Sequence, residues 1–300
     1  MSTPNGSGRN SHWWSGDAVV DSFDFGLAHD TDTFDQAFRL VHDRYVEQGY
    51  MQRHPSGRRL SLFHALPSSS VFVVKDGSRV AATLTLIEDA TLGLPMDDLY
   101  RDELNLSRAQ GRRLAEVSAL ALDPRYRAHG VSIVMRMMRL TYAFAAVIAR
   151  LDDICIAVNP RHVDFYRNAL NFHAFGALKR YKTVNDAPAV AMRLDLVWAR
   201  DRMLRLQAGE APDMELEEFF FSPAACAWSF GHLGRGPRRS RFSAEQFVQF
   251  LADQEEAIAS ARSGALSRVI RSFYPGLSPE ALDGPGVSPT PAAVAAGSQR

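Results

Sequence analysis

The chain has 300 residues, 46% of them hydrophobic, which is ample for a sizeable buried core and excludes fibrous, disulfide-scaffold and wholly disordered classes. Lys plus Arg and Asp plus Glu both number 34, so no global field gathers nucleic acid or an anionic membrane, and any anion site must be local. Two cysteines, no charged head with an apolar run at the N-terminus, and apolar stretches that fall short of a membrane span predict a reducing, cytoplasmic setting.

Residues 1–20 are rich in Ser, Gly and Asn and are expected to form a flexible tail. Thr33-Phe34-Asp35-Gln36 reads as a capping box, followed by Phe34, Ala37, Phe38, Val41 and Tyr45 at helical spacing up to Gly49. Val71–Val74 and Arg79–Ile87 are β-branched runs joined by Lys75-Asp76-Gly77-Ser78, a hairpin signal. A short polar helical insert lies within 92–111. Leu114–Leu122 alternates as a strand, stopped by Asp123-Pro124. Val131, Val134, Met135, Met138 and Tyr142 then mark a long core-facing helix reaching Ala149. Ile154–Val158 reads as a strand, Arg161–Leu170 as a helix, and Phe172–Leu178 and Ala189–Leu196 as two more strands. Beyond residue 200 the pattern is helical, with a second capping box at Ser243-Ala244-Glu245-Gln246 and an arginine-rich loop at Arg235, Arg238, Arg239 and Arg241. The expected organisation is a tail over 1–20, a catalytic domain over 21–198, a helical appendage over 199–274 and a second tail over 275–300.

The strand from Leu114 runs into Asp123-Pro124-Arg125-Tyr126-Arg127-Ala128-His129-Gly130-Val131-Ser132, a turn that opens a helix. A helix N-terminus favours an anion, Gly130 lets backbone approach it, and Arg125 or Arg127 adds a charge-assisted contact; a phosphate is the expected guest. His129 touches that phosphate or is a solvated loop histidine. An ordinary strand-to-helix connection with solvated arginines is the alternative for the whole turn.

The strand, Arg127-Ala128-His129-Gly130-Val131-Ser132, the long helix, and Phe165-Tyr166 followed by Asn171-Phe172 resemble the acyl-CoA-binding core of the GNAT superfamily of N-acyltransferases. Ser132 stands where that family's turn has Gly or Ala. Gly93-Leu94-Pro95-Met96-Asp97, Leu99-Tyr100, Leu114-Ala115-Glu116-Val117-Ser118, Val158-Asn159-Pro160-Arg161-His162 and Tyr181-Lys182-Thr183-Val184-Asn185-Asp186-Ala187-Pro188 together resemble the bacterial long-chain N-acyl amino acid synthases, a GNAT branch related in architecture to acyl-homoserine lactone synthases. The resemblance covers roughly residues 30–198. It implies an α/β (α+β) fold with a mixed, mostly antiparallel central sheet flanked by helices, to which a C-terminal helical appendage is added. It implies an acyl thioester on the phosphopantetheine of an acyl carrier protein as donor, with acyl-CoA as the alternative, and an amino-acid α-amine as acceptor. No tightly bound cofactor, metal or nucleic acid is expected.

Aminolysis of a thioester needs a neutral amine, stabilisation of an oxyanion and a proton for the departing thiolate. Glu116 sits mid-strand on the same alternating face as Ser118, Leu120 and Leu122; it is a base or amine anchor, or else pairs with an arginine. Tyr166 follows GNAT usage as the donor to the leaving sulfur, or is an aromatic packed with Phe165. Ser118 completes the catalytic set. Backbone N–H groups at Ala119 and Leu120 would meet the oxyanion if the strand splays from its neighbour. Arg161 and His162, at a strand's C-terminal end, are candidates for the acceptor carboxylate and a second acid/base, with a polar helix start and a surface histidine as alternatives. Arg125, Arg127 and Arg136 are candidates for the surface that docks an acidic carrier. Cys155 and at least two of Met135, Met137 and Met138 read as core, with a groove for the acyl chain as the methionines' alternative; Phe219-Phe220-Phe221 reads as ordinary packing or as a cap on such a groove. A conventional acetyl-CoA N-acetyltransferase and a non-catalytic carrier- or lipid-binding module are the competing functions. Homoserine-lactone synthesis fits Asn185-Asp186-Ala187-Pro188 less well.

Overall fold

The computed structural model describes residues 17–251, 254 and 264–277. The chain divides into two compact units, Met1–Phe242 and Ser243–Arg300. The helices after residue 198, expected as an appendage, therefore sit partly in the first unit.

Strands β1 (Asp24–Leu27), β2 (Ser69–Asp76), β3 (Arg79–Glu88), β4 (Leu114–Leu122), β5 (Asp153–Val158), β6 (His173–Ala174), β7 (Lys179–Tyr181) and β8 (Ala187–Asp195) make a sheet ordered β1-β2-β3-β4-β5-β8-β6, with β7 also on β8. Only the β4–β5 pair is parallel. The β2–β3 hairpin turns through Gly77 at φ +59°, a conformation that glycine adopts without a Cβ penalty.

Around the sheet lie α1 (Ala18–Asp21), α2 (Thr31–Glu47), α3 (Asp97–Ala109), α4 (Gly130–Ala143), α5 (Val163–Leu170), α6 (Leu196–Gln207), α7 (Glu215–Phe221) and α8 (Pro223–Leu233). One face of the sheet meets α4 and α8: Phe72 packs edge-on to Phe144 at 5.4 Å, and Phe25 to Trp228 at 5.2 Å. Met135, Met137 and Met138 are all buried there. Phe220 stacks on Tyr142 at 5.0 Å, which makes the Phe219–Phe221 run packing within the first unit. The opposite face meets α2 and α3, where Tyr100 and Leu104 pack with Ile87, Leu114 and Cys155. The helical run Pro124–Ile148 is long and apolar enough by length and composition to cross a membrane, against the expectation for this chain. With 72% of that window buried inside the fold, it serves as the central core helix.

Several boundaries differ from the sequence reading. Helix α2 begins at Thr31 because Asp30 is its cap, accepting from Thr33 N at 2.8 Å and Thr33 Oγ1 at 2.7 Å; the Thr33–Gln36 box lies inside the helix. The expected tail over 1–20 is overturned at its end: Asp17 caps α1 and Val20 is fully buried, while residues 1–16 lie outside the described residues. Of the tail expected over 275–300, Leu277 is buried and 278–300 lie outside the described residues. The strand expected over Phe172–Leu178 shrinks to two residues, because Gly176 lies against the Tyr100 ring, whose hydroxyl donates to Ala177 O and Ala189 O. Strand β1 was not anticipated.

After α8 the chain returns to the start of the sheet. Arg239 pairs with Glu88, Ser240 Oγ donates to Ala28 O at 2.6 Å, and Phe242 packs edge-on to Phe34 at 4.9 Å. Within the arginine-rich loop, Arg239 thus has a structural partner. In the second unit, Ser243 and Gln246 form the predicted capping box, Ser243 N donating to Gln246 Oε1 at 2.8 Å and Gln246 N to Ser243 Oγ at 3.2 Å, ahead of a helix over Ala244–Leu251. A further helix spans Gly264–Phe273.

Candidate active site

The centre of the site is a fault in β4. Its register against β3 shifts between Thr83 and Thr85, and Ala119 takes φ +55°, so one extra residue is accommodated as a bulge. A non-glycine residue in that region costs on the order of 1–3 kcal/mol and persists only where surroundings hold it. The bulge exchanges the faces of the strand. Ala115 and Val117 point into the α4 core, but beyond the bulge Leu120 and Leu122 do so, while Ala119 and Ala121 pack against Val41 of α2. The expectation that Glu116, Leu120 and Leu122 share one face is thereby corrected. Parallel pairing of β4 with β5 ends at Glu116 opposite Cys155. Past that point the two strands part, and the edge of β4 toward β5 has no ladder partner from β5. The backbone of Ala119 and Leu120 lies in this opening.

Glu116 is 3% exposed at its vertex and forms no ion pair among the described residues, so the arginine-pair alternative is not what the fold contains. Its Oε2 accepts from Met96 N at 2.7 Å. Burial pushes its carboxyl up to about 8, with Asp97 and Asp98 adding to the rise and the Met96 bond opposing it. Such a group keeps its proton through neutrality and becomes a carboxylate able to take a proton from an amine as pH rises toward about 8.

The loop before α3 aims Met96 N at Glu116. Gly93 takes φ +70°, and a Cβ there would lie 2.4 Å from Asp97 Oδ2. That carboxylate accepts from Leu94 N at 2.7 Å and from both Nη atoms of Arg108 at 2.7 Å, while Arg108 Nε bonds Asp89 at 2.6 Å. Tyr181 OH donates to Pro95 O at 2.8 Å and closes the loop from β7. The Gly93–Asp97 motif is thus a clamp, and Met96 and Tyr181 are site residues whose role the sequence did not disclose.

Tyr166 lies on α5 with its ring edge-on to Phe165 at 5.5 Å and Phe172 at 5.7 Å. Burial, then the nearby Tyr45, raises its pKa to about 12, so the phenol remains a hydrogen-bond donor across the physiological range. Tyr45, a core position of α2 by its spacing, has a second role here. It packs on Ala119 and Ala121, and its pKa is raised by burial and by the Glu116 charge against the opposing Arg59. Tyr45 thus lies within electrostatic reach of both Glu116 and Tyr166. Ser118 is half-buried opposite Thr85. Cys155 is core, with burial pushing its thiol up.

At the arginine turn, Arg125 is held by Asp123 at 2.5 Å and His129 by Asp17 at 2.8 Å. Arg127 is exposed and forms no ion pair among the described residues. Gly130 is buried, and a Cβ there would lie 2.8 Å from Leu122, so close packing on β4 is one reason for the glycine. Ser132 is 4% exposed and its Oγ has no hydrogen-bond partner among the described residues. Arg136 is buried against Asp21 at 2.5 Å, which removes it from any docking surface. Arg161 is exposed and donates to Gln48 Oε1 at 3.0 Å, Tyr50 OH at 3.2 Å and His162 Nε2 at 3.0 Å, so it is occupied within the α2–α5 surface and shares no contact with Glu116. His162 is exposed beside it, its pKa lowered by partial burial and by Arg161. Among the described residues no three His, Cys, Asp or Glu side chains are grouped to hold a metal.

Residues 36–195 match the family model described as the N-acyl amino acid synthase FeeM, more than half of the chain. The chain belongs to the N-acyl amino acid synthase family. It is an acyltransferase with a GNAT-like fold. Among solved structures, FeeM, an N-acyl amino acid synthase from uncultured soil microbes, is 33% identical, with a TM-score of 0.50 over 59% of this chain and 93% of that one. The CoA-dependent acyl-homoserine lactone synthase BjaI is 15% identical, with a TM-score of 0.47 over 65% of this chain and 97% of its own. The AHL synthase LasI is 16% identical, with a TM-score of 0.46 over 58% of this chain and 89% of its own. No curated protein matches the chain. The matched region is β2–β8, most of α2, α3–α5 and the clamp; β1 and the helices after β8 lie outside it.

Proposed function

We propose that this acyltransferase moves a long-chain fatty acyl group from the phosphopantetheine thioester of an acyl carrier protein to the α-amine of an amino acid. The buried, uncompensated Glu116 at the vertex of the β4–β5 opening carries the reading. A carboxylate there takes the proton of the attacking amine as the C–N bond forms. Electrons of the carbonyl move to its oxygen, which the N–H groups at Ala119 and Leu120 meet. The C–S bond then breaks while Tyr166 donates to the sulfur. Ser118 beside Glu116 orders the amine. The donor phosphate meets Arg127, the N-terminal turn of α4 and the unsatisfied Ser132 hydroxyl, with Gly130 allowing close approach and Arg125 and His129 at the rim.

Incubating the full-length protein with long-chain acyl carrier protein and the twenty amino acids, with product masses recorded, tests the assignment. N-acyl amino acids support it; thioester hydrolysis alone, or transfer from acetyl-CoA alone, overturns it. Tyr166→Phe is expected to lower turnover about 10- to 100-fold with an alkyl thioester. An aryl thioester, whose thiolate leaves without help, is expected to restore most of the loss; an equal loss with both donors would remove Tyr166 from the sulfur. Arg127→Glu is expected to weaken carrier binding about tenfold at low salt, with the difference shrinking at high salt. Unchanged affinity at low salt would place the docking surface elsewhere.

A further inference from the structure

The segment between α2 and β2 holds Arg59, a half-buried cation with no ion pair among the described residues. Arg58 Nε bonds Asp35 at 2.5 Å, Arg59 N donates to Phe38 O at 3.1 Å, and His54 N donates to the buried His42 Nε2 at 3.0 Å, so the backbone flanking Arg59 is tied to α2. The Arg59 guanidinium lies 4.3 Å from the centroid of the Tyr45 ring, and that ring packs on Ala119 and Ala121 at the β4 bulge. Four residues on, Phe63 packs in the cluster that holds Met96, the donor to Glu116. The segment therefore reaches the surroundings of Glu116 from two sides.

Arg59 is half-buried, yet it meets no carboxylate among the described residues. A cation partly withdrawn from water without a counter-ion is costly unless a ligand supplies one. Beside it, His64 Nδ1 accepts from Ser61 N at 3.1 Å, which leaves the ring proton on Nε2, a buried atom with no partner. Burial and the Arg59 charge lower the His64 pKa to about 4, so it stays a neutral donor. Glu116, whose charge, like that of Arg59, acts on Tyr45, is buried and has no cationic partner among the described residues. An unpaired cation and a buried, unpaired carboxyl group thus share the surroundings of Tyr45, a complement to the carboxylate and amine of an amino acid.

We propose that Arg59 binds the α-carboxylate of the acceptor amino acid, so that the α-amine faces Glu116 and free amino acids are selected over their amides. The inference rests on the amino-acid acceptor reading above, and it moves the carboxylate contact from Arg161 to a residue of the α2–β2 segment. A bidentate guanidinium contact to a carboxylate is lost in an amide, which offers no charge.

Equilibrium dialysis of the full-length protein against an equimolar mixture of the twenty amino acids and their α-amides, read by mass spectrometry, tests it without turnover. The parent is expected to retain one or a few free acids over their amides by about tenfold or more. Arg59→Gln is expected to abolish that preference and Arg59→Lys to keep part of it, with circular dichroism confirming the fold of both. Equal retention of acids and amides by the parent, or an unchanged preference in a folded Arg59→Gln variant, overturns the proposal. The acyl-transfer assay is read separately: discrimination in dialysis without any N-acyl product would leave Arg59 as the carboxylate site and remove the synthase reading instead.

Discussion

Glu116→Gln is expected to lower N-acyl transfer by about 10²- to 10⁴-fold and, at the same time, to stabilise the protein in alkaline solution. Glutamine keeps an oxygen for Met96 N but cannot take a proton. The sign of the stability change follows from where the proton sits. In the unfolded chain a glutamate ionises near its ordinary value of 4.5, whereas in the fold burial holds Glu116 protonated until about 8. Between those values the native state binds the extra proton, so stability from this group is present below 4.5 and is lost as pH rises to about 8. The loss is on the order of 4 kcal/mol at pH 9, and the glutamine variant escapes it. Urea midpoints at pH 5 and pH 9 check this: the variant's advantage should be small at the first and large at the second, and a pH-independent difference would contradict the assignment. In kinetics, kcat/KM for the acceptor should rise with pH to about 8 in the parent, and the variant should lack that limb.

Gly93→Ala acts on the same carboxylate from a distance. A Cβ at φ +70° is strained in itself, and here it would sit 2.4 Å from Asp97 Oδ2. Asp97 is bonded to Leu94 N and Arg108 and has little room to yield. The expected cost is about 2 kcal/mol of stability, with a drop in turnover. The diagnostic change is in the pH profile. The Met96 N–H favours the charged form of Glu116, so displacing it should move the acid limb to higher pH. A variant that loses stability while keeping the limb in place would show the clamp to be structural only.

Much of this architecture is legible in the residues. The alternation of Leu114–Leu122, the Asp76-Gly77 hairpin and the helical stripe from Val131 each have a local cause, and each forms the predicted element. The bulge is not legible, because alanine at 119 carries no turn signal; only the pull of Val41 on one side and the α4 core on the other places it there. Without the bulge, simple alternation assigns the wrong face to Leu120 and Leu122. Tyr45 was visible as an apolar helix position, but its neighbours Ala119 and Glu116 are more than seventy residues away in sequence. Arg59 is one of many arginines, and its lack of a counter-ion exists only in three dimensions. Arg161 stood out by its place after Asn159-Pro160, yet Gln48 and Tyr50, distant in the chain, occupy it.

The return of the chain after α8 bears on how the enzyme is made. Trp228 on Phe25, Arg239 with Glu88, and Phe242 on Phe34 all join the last part of the first unit to its beginning. Such long-separated contacts form slowly, and during synthesis they must wait for the later residues to leave the ribosome. A nascent chain that has emerged through β8 already holds Glu116, Tyr166 and the arginine turn, but α2, which carries Tyr45, still lacks the aromatic ring that covers Phe34. The acceptor side of the catalytic centre is therefore completed only when Phe242 emerges, about 76 residues after Tyr166 has been translated.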